Sequence, residues 1–134
     1  MNIDLGHWVY NGPEVDISKM LGFVYCISNI SNNKKYIGKK LLLNRTCKKP
    51  LKGRTNKRRG LKASDWKEYT GSCPDLNDYI LKNGKSEFTF EILSFHPSKL
   101  LLSYYEIKEI IDRNAIFSND FYNQVLNCRF RFHK

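Results

Sequence analysis

Gly22-Phe23-Val24-Tyr25-Cys26-Ile27-Ser28, the turn residues Asn29 to Asn33, and Lys34-Lys35-Tyr36-Ile37-Gly38 decide how this chain folds. The first run is rich in β-branched and aromatic residues and reads as a central strand. Lys34–Ile37 reads as the returning strand of a β-hairpin, ended by Gly38. On the N-terminal side, residues 1–21 hold Trp8, Val9 and Tyr10 and then the turn-like Asn11-Gly12-Pro13. They read as an arm, with at most one short strand, packed on the body.

On the C-terminal side the pattern turns helical. Ser64-Asp65-Trp66-Lys67-Glu68-Tyr69 reads as the start of a short helix capped by Ser64. Ser72-Cys73-Pro74-Asp75 has a capping-box pattern with proline in the first turn. The helix it opens carries Leu76, Tyr79 and Ile80 and stops at Asn83-Gly84. Phe88–Phe95 alternates as a strand does. Pro97-Ser98 opens the longest helix, over about residues 99–113, with Leu100, Tyr104, Ile107 and Ile111 as its apolar stripe. Residues 121–132 read as irregular or weakly extended. The order hairpin, helix, strand, helix predicts a single α/β (α+β) domain over residues 1–134. Its expected core is a small three-stranded mixed or antiparallel sheet flanked by helices.

Between hairpin and helices lies a segment of one charge. Residues 39–62 contain eleven Lys or Arg and no Asp or Glu, against 23 basic and 13 acidic residues in the whole chain of 134. The rest is close to neutral, so the +10 net charge is a local feature. Such a field costs self-repulsion unless a polyanion meets it, and a nucleic-acid backbone is the obvious one. With Pro50, Gly53, Gly60 and no apolar period, the segment reads as largely loop, with at most a helical turn near Leu41–Arg45. Lys39, Lys40, Lys48, Lys49, Lys52, Lys57, Arg59 and Lys62 are the candidate nucleic-acid contacts, positioning the backbone rather than reading it.

Composition excludes several classes. Hydrophobic content of 41% argues against disorder. No apolar run spans a bilayer and none follows a basic start, so neither a membrane partner nor a signal peptide is expected. Cys26, Cys47, Cys73 and Cys128 form no Cys-x-x-Cys pair and His7, His96 and His133 are scattered, which suits reduced cysteines in a cytoplasmic protein better than a zinc site. A ribosomal-type basic protein fits the charge but not the acidic and aromatic remainder.

Phe23-Val24-Tyr25, ten intervening residues and then Tyr36-Ile37-Gly38 resemble the paired tripeptides of the GIY-YIG nuclease family. The second tripeptide matches fully. In the first, Phe23 stands where the family usually has Gly, with Gly22 one step earlier. The family order then continues: basic residues at 39–62, Gly84 to Phe90, Glu106 on the long helix, and Tyr122-Asn123. The likeness spans about 22–124. Tyr-Ile-Gly-Lys-Lys at 36–40, Leu-Lys-Gly-Arg at 51–54, Ser-Asp-Trp-Lys-Glu-Tyr at 64–69 and Tyr-Tyr-Glu at 104–106 are most similar to the free-standing, phage-encoded Seg-type homing endonucleases.

The resemblance implies a metal-dependent endonuclease acting on double-stranded DNA, encoded by a bacteriophage and working in the host cytoplasm. It implies Glu106 as the ligand of one Mg2+ (or Mn2+) per active site, with waters and phosphate oxygens completing the shell. Tyr25 and Tyr36 would approach one phosphate or its attacking water, Tyr36 helping to deprotonate or orient that water. A phenol titrates near 10, so that task asks for a nearby cation or the metal to lower it. An arginine would clamp the phosphate in bidentate fashion. Arg45, on a helix starting after the second tripeptide, is slightly favoured over Arg54 and Arg58. Asn123 would orient the site by hydrogen bonds. With no separate DNA-reading domain in the chain, specificity is expected from the basic segment, the arm or oligomerisation. Double-strand cleavage would take a homodimer, a higher oligomer or two successive events. The alternative is a non-catalytic nucleic-acid-binding module that uses residues 39–62 alone.

Overall fold

Both faces of β2 (Gly22–Asn29) are buried, and the rest of the domain is arranged around that fact. Phe23, Tyr25 and Ile27 point into one core with Trp8, Trp66, Leu76, Ile80, Phe88, Phe90, Ile92 and Phe95. Val24 and Cys26 point into a second with Ile37, Leu102, Ile110 and Ala115. A strand covered on both sides needs an unbroken apolar run, which is what its sequence supplies. In the computed structural model, residues 4–56, 58–124 and 126 are described, with the backbone alone for 45–48, 58, 59 and 61.

The main sheet has the order β1-β6-β2-β3. β3 (Lys35–Leu41) and β6 (Phe88–His96) flank β2 antiparallel, and β1 (Val9–Tyr10) adds to β6 in parallel. The three expected strands therefore lie side by side in it, and the arm's short strand makes four. α1 (Pro74–Asn83) covers one face through Leu76 and Ile80, and α2 (Lys99–Asp112) the other through Leu102 and Ile110. Trp8 fastens the arm, its Nε1–H donating to the Trp66 carbonyl at 2.6 Å. Among the described residues no helix is long and apolar enough to cross a membrane, and Cys26 and Cys73 are free thiols.

Several local expectations are corrected. The basic segment is not largely loop, and no helical turn forms near Leu41–Arg45. β4 (Leu43–Lys48) pairs antiparallel with β5 (Arg58–Ala63) as a separate two-stranded ribbon. Pro50 and Gly53 lie in its tip, where they do not interrupt the ladder, and Gly60 sits opposite Thr46. Gly38 does not end β3, which continues to Leu41. Trp66–Glu68 is one 3-10 turn preceded by Asp65, while the Ser64 hydroxyl donates to the Leu41 carbonyl instead of capping. Cys73, not Ser72, occupies the N-cap of α1. On α2 the buried residues are Leu102, Ile107 and Ile110. The stripe is rotated from the one expected, leaving Tyr104 and Ile111 exposed.

β6 carries an irregularity beside Tyr25: Ile92 pairs with Tyr25 and Ser94 with Val24, so Leu93 has no partner across the ladder. The extra residue switches the phase of the strand, which is why Phe88, Phe90 and Ile92 share a core with Phe95.

Gly38 lies opposite Tyr25, and a Cβ there would run into the Tyr25 hydroxyl. The missing side chain is the space in which the phenol lies. Gly38→Ala is expected to lower unfolding stability by about 1–3 kcal/mol through overpacking, read as a fall in the urea midpoint at unchanged slope.

Candidate active site

β3 is an edge strand, so alternate peptide groups face outward and need partners. At Lys35 they are the Asp120 carbonyl (2.9 Å) and the Tyr122 N–H (2.7 Å). At Ile37 the N–H donates to Asn123 Oδ1 at 2.9 Å and the carbonyl accepts from Asn123 Nδ2 at 2.8 Å. At Lys39 the N–H donates to the Glu106 carboxylate. Asn123 and Glu106, distant in sequence, thus meet successive outward-facing residues of one strand edge, Ile37 and Lys39, which are about 7 Å apart along the strand. Asn123 is buried, and its amide substitutes for the next strand of the sheet.

Glu106 is half-buried on α2. Burial raises its pKa above the ordinary 4.5, against the opposing pull of the Lys39 ammonium and amide. Lys39 Nζ lies 4.0 Å from its carboxylate and donates to Ser103 Oγ at 2.7 Å. One carboxylate beside one lysine is a sparse donor set. Among the described residues no group of three His, Cys, Asp or Glu could hold a metal. Such a set suits a hydrated hard cation, which takes one or two carboxylates plus waters and phosphate oxygens. It does not suit zinc.

The two phenols lie on adjacent strands with ring centroids 6.2 Å apart. Their surroundings differ. Tyr25 is 1% exposed, hydrogen-bonded to Tyr69 and packed over Gly38. Tyr36 is half-buried, with its hydroxyl 3.0 Å from Ser72 Oγ. Burial is the main cause raising the pKa of each, and the Glu106 charge adds to both. The acid and both phenols are thus in electrostatic reach of one another. Among the described residues, no cation is among the influences on either ring. The nearest arrangement of that kind is Lys40, whose ammonium stands 4.0 Å over the Tyr69 ring and 2.8 Å from Asp65.

The basic candidates divide. Lys39 stands at the acid and Lys40 over the Tyr69 ring. Lys49, Lys52 and Arg54 are exposed in the ribbon's tip and Lys62 on β5. Arg45 lies on β4, not on a helix, and Arg58 on β5. The side chains of Arg45, Lys48, Arg58 and Arg59, and all of Lys57, lie outside the described residues. Sequence reasoning missed Tyr69, Ser72 and Ser103, the hydrogen-bonding partners of Tyr25, Tyr36 and Lys39. Each comes from an element whose position only the tertiary fold reveals. Ser72 read as a helix cap, and Tyr69 fell within the 64–69 motif without a role of its own.

A family model described as “Putative endonuclease segE, GIY-YIG domain” matches residues 8–126. That span takes in both cores, the ribbon, Glu106 and Asn123. Comparisons with curated proteins and with solved structures return no match.

A carboxyl whose folded pKa is raised contributes stability only where it is protonated, below its unfolded pKa. That contribution is lost as pH rises through the folded value. At neutral pH, ionised Glu106 therefore costs stability. Glu106→Gln keeps an acceptor for the Lys39 amide and removes the charge. Its melting temperature at pH 7 is expected above that of the wild type, with the gap closing as pH falls below about 4.5.

Proposed function

The chain belongs to the SegE-type GIY-YIG endonuclease family, and on that premise we propose a metal-dependent endonuclease that hydrolyses phosphodiester bonds of double-stranded DNA. The family makes it a nuclease. The observation that carries the finer reading is the Glu106 carboxylate held at the β3 edge by the Lys39 amide, on the strand that carries Tyr36.

In this reading Glu106 holds one Mg2+ or Mn2+. When bound, the ion polarises a phosphate oxygen and neutralises charge that grows on phosphorus. Tyr36, whose hydroxyl lies beside Ser72 on the rim of the site, helps to deprotonate or orient the attacking water. Tyr25 is enclosed and acts through Tyr36 and Tyr69, as a positioning residue. Lys39 stands where a phosphate oxygen would approach Glu106, and its charge favours that approach. A guanidinium of the ribbon, from Arg45, Arg54 or Arg58, supplies the bidentate clamp. Asn123 fixes the β3 edge and with it the spacing of Glu106 from Tyr36. One site cuts one strand, so double-strand cleavage takes a dimer or two events. A bacteriophage source and action in the host cytoplasm agree with the Seg-type motifs and a Lys-, Asn- and Ile-rich composition.

Nicking of supercoiled plasmid in Mg2+ tests the assignment. Wild type should nick and EDTA should stop it. Tyr36→Phe should fall by roughly 10²–10⁴, and Glu106→Ala to background. Cutting by Glu106→Ala at the wild-type rate removes the ligand assignment. Binding without cutting, by wild type and variant alike, favours the non-catalytic module.

A further inference from the structure

We infer that the β4–β5 ribbon is the element that reads DNA sequence, entering the major groove with the face that carries Asn44, Thr46, Lys48, Arg58, Gly60 and Lys62. The inference rests on the nuclease reading, and it goes past a basic segment that only holds phosphates.

The ladder register carries the first part. It pairs Asn44 with Lys62, Thr46 with Gly60 and Lys48 with Arg58 on one side of the ribbon. The other side receives Leu43, Leu61 and Ala63 together with Arg45, Cys47 and Arg59. Side chains alternate between faces along a strand, so every side chain on the first face is polar. Amide, hydroxyl, ammonium and guanidinium groups are those that pair with base edges. In the middle of the ladder Gly60, which has no side chain, stands opposite Thr46.

Energetics carry the second part. An isolated two-stranded hairpin is marginal in water, and directly opposed like charges weaken it further. Lys48 against Arg58 is such a pair, and the ribbon joins neither edge of the main sheet. A polyanion on this face removes the repulsion.

Shape and position carry the third. The major groove of B-DNA, about 12 Å wide and 8.5 Å deep, admits a two-stranded ribbon. Six residues per strand give a reach of about 20 Å. The ribbon closes at its root, where the Ser64 N–H donates to the Leu42 carbonyl at 2.9 Å. A cavity of about 370 Å³ there is lined by Asn44, Lys39, Lys40, Lys99 and Ser103, with Leu41 and Leu102. Lys39 connects it to Glu106. A strand cut at Glu106 can therefore run past three lysines onto the polar face.

Two measurements test this. In EDTA, duplex binding by the wild-type chain should be blocked by methyl green, a major-groove ligand, and not by distamycin, which occupies the minor groove. Product ends from a plasmid library with random inserts should show changed base preferences near the cut for Asn44→Ala and Thr46→Ala. The salt slope of binding should stay unchanged for these two uncharged sites. Lys52→Ala, in the exposed tip and off that face, should instead weaken all sites alike and reduce that slope by about one. Block by distamycin alone overturns the inference, as do wild-type preferences in both neutral variants. A wild type that cuts nothing defeats the nuclease reading, and the competition still decides the ribbon.

Discussion

Closure of the free edge of β3 is the constraint on which the site depends. Unpaired strand-edge groups invite pairing with other chains. Here Asp120, Tyr122, Asn123 and Glu106 satisfy Lys35, Ile37 and Lys39 in turn. The backbone need that draws Asn123 and Glu106 onto this edge places them along the strand that also carries Tyr36. Structural satisfaction and the gathering of the candidate site residues are one arrangement. The acid pays for its place there through burial that raises its pKa.

Tyr25 and Tyr36 look equivalent in the sequence, one in each tripeptide, and they are not equivalent in the fold. β2 is central and β3 is at the edge, so the same residue type is enclosed on one strand and reaches the rim on the other. Tyr25 spends its hydroxyl on Tyr69, and Tyr36 keeps its own at the surface beside Ser72. Tyr25 thus forms part of the inner wall against which the Tyr36 ring packs.

The sequence made the hairpin, β6 and α2 legible because their periodicities report burial directly. Glu106 and Asn123 were legible through family motifs alone. No local signal tells a carboxylate at a strand edge from one in solvent. The ribbon was hidden because its residues follow no apolar alternation. A charged face leaves none, and Pro50, Gly53 and Gly60 read as loop although two of them lie in the tip. The rotated stripe of α2 has a similar cause. Leu100, Leu101 and Leu102 are consecutive, so periodicity cannot say which faces the sheet, and Leu102 does.

The Ser64–Leu42 hydrogen bond makes the chain's departure from the core and its return coincide. Whatever is spliced between those two residues meets the same doorway, and the entropy of closing it grows only slowly with the inserted length. The length of the ribbon can therefore change without displacing Leu42 or Ser64, and the strands of the main sheet stay where they are.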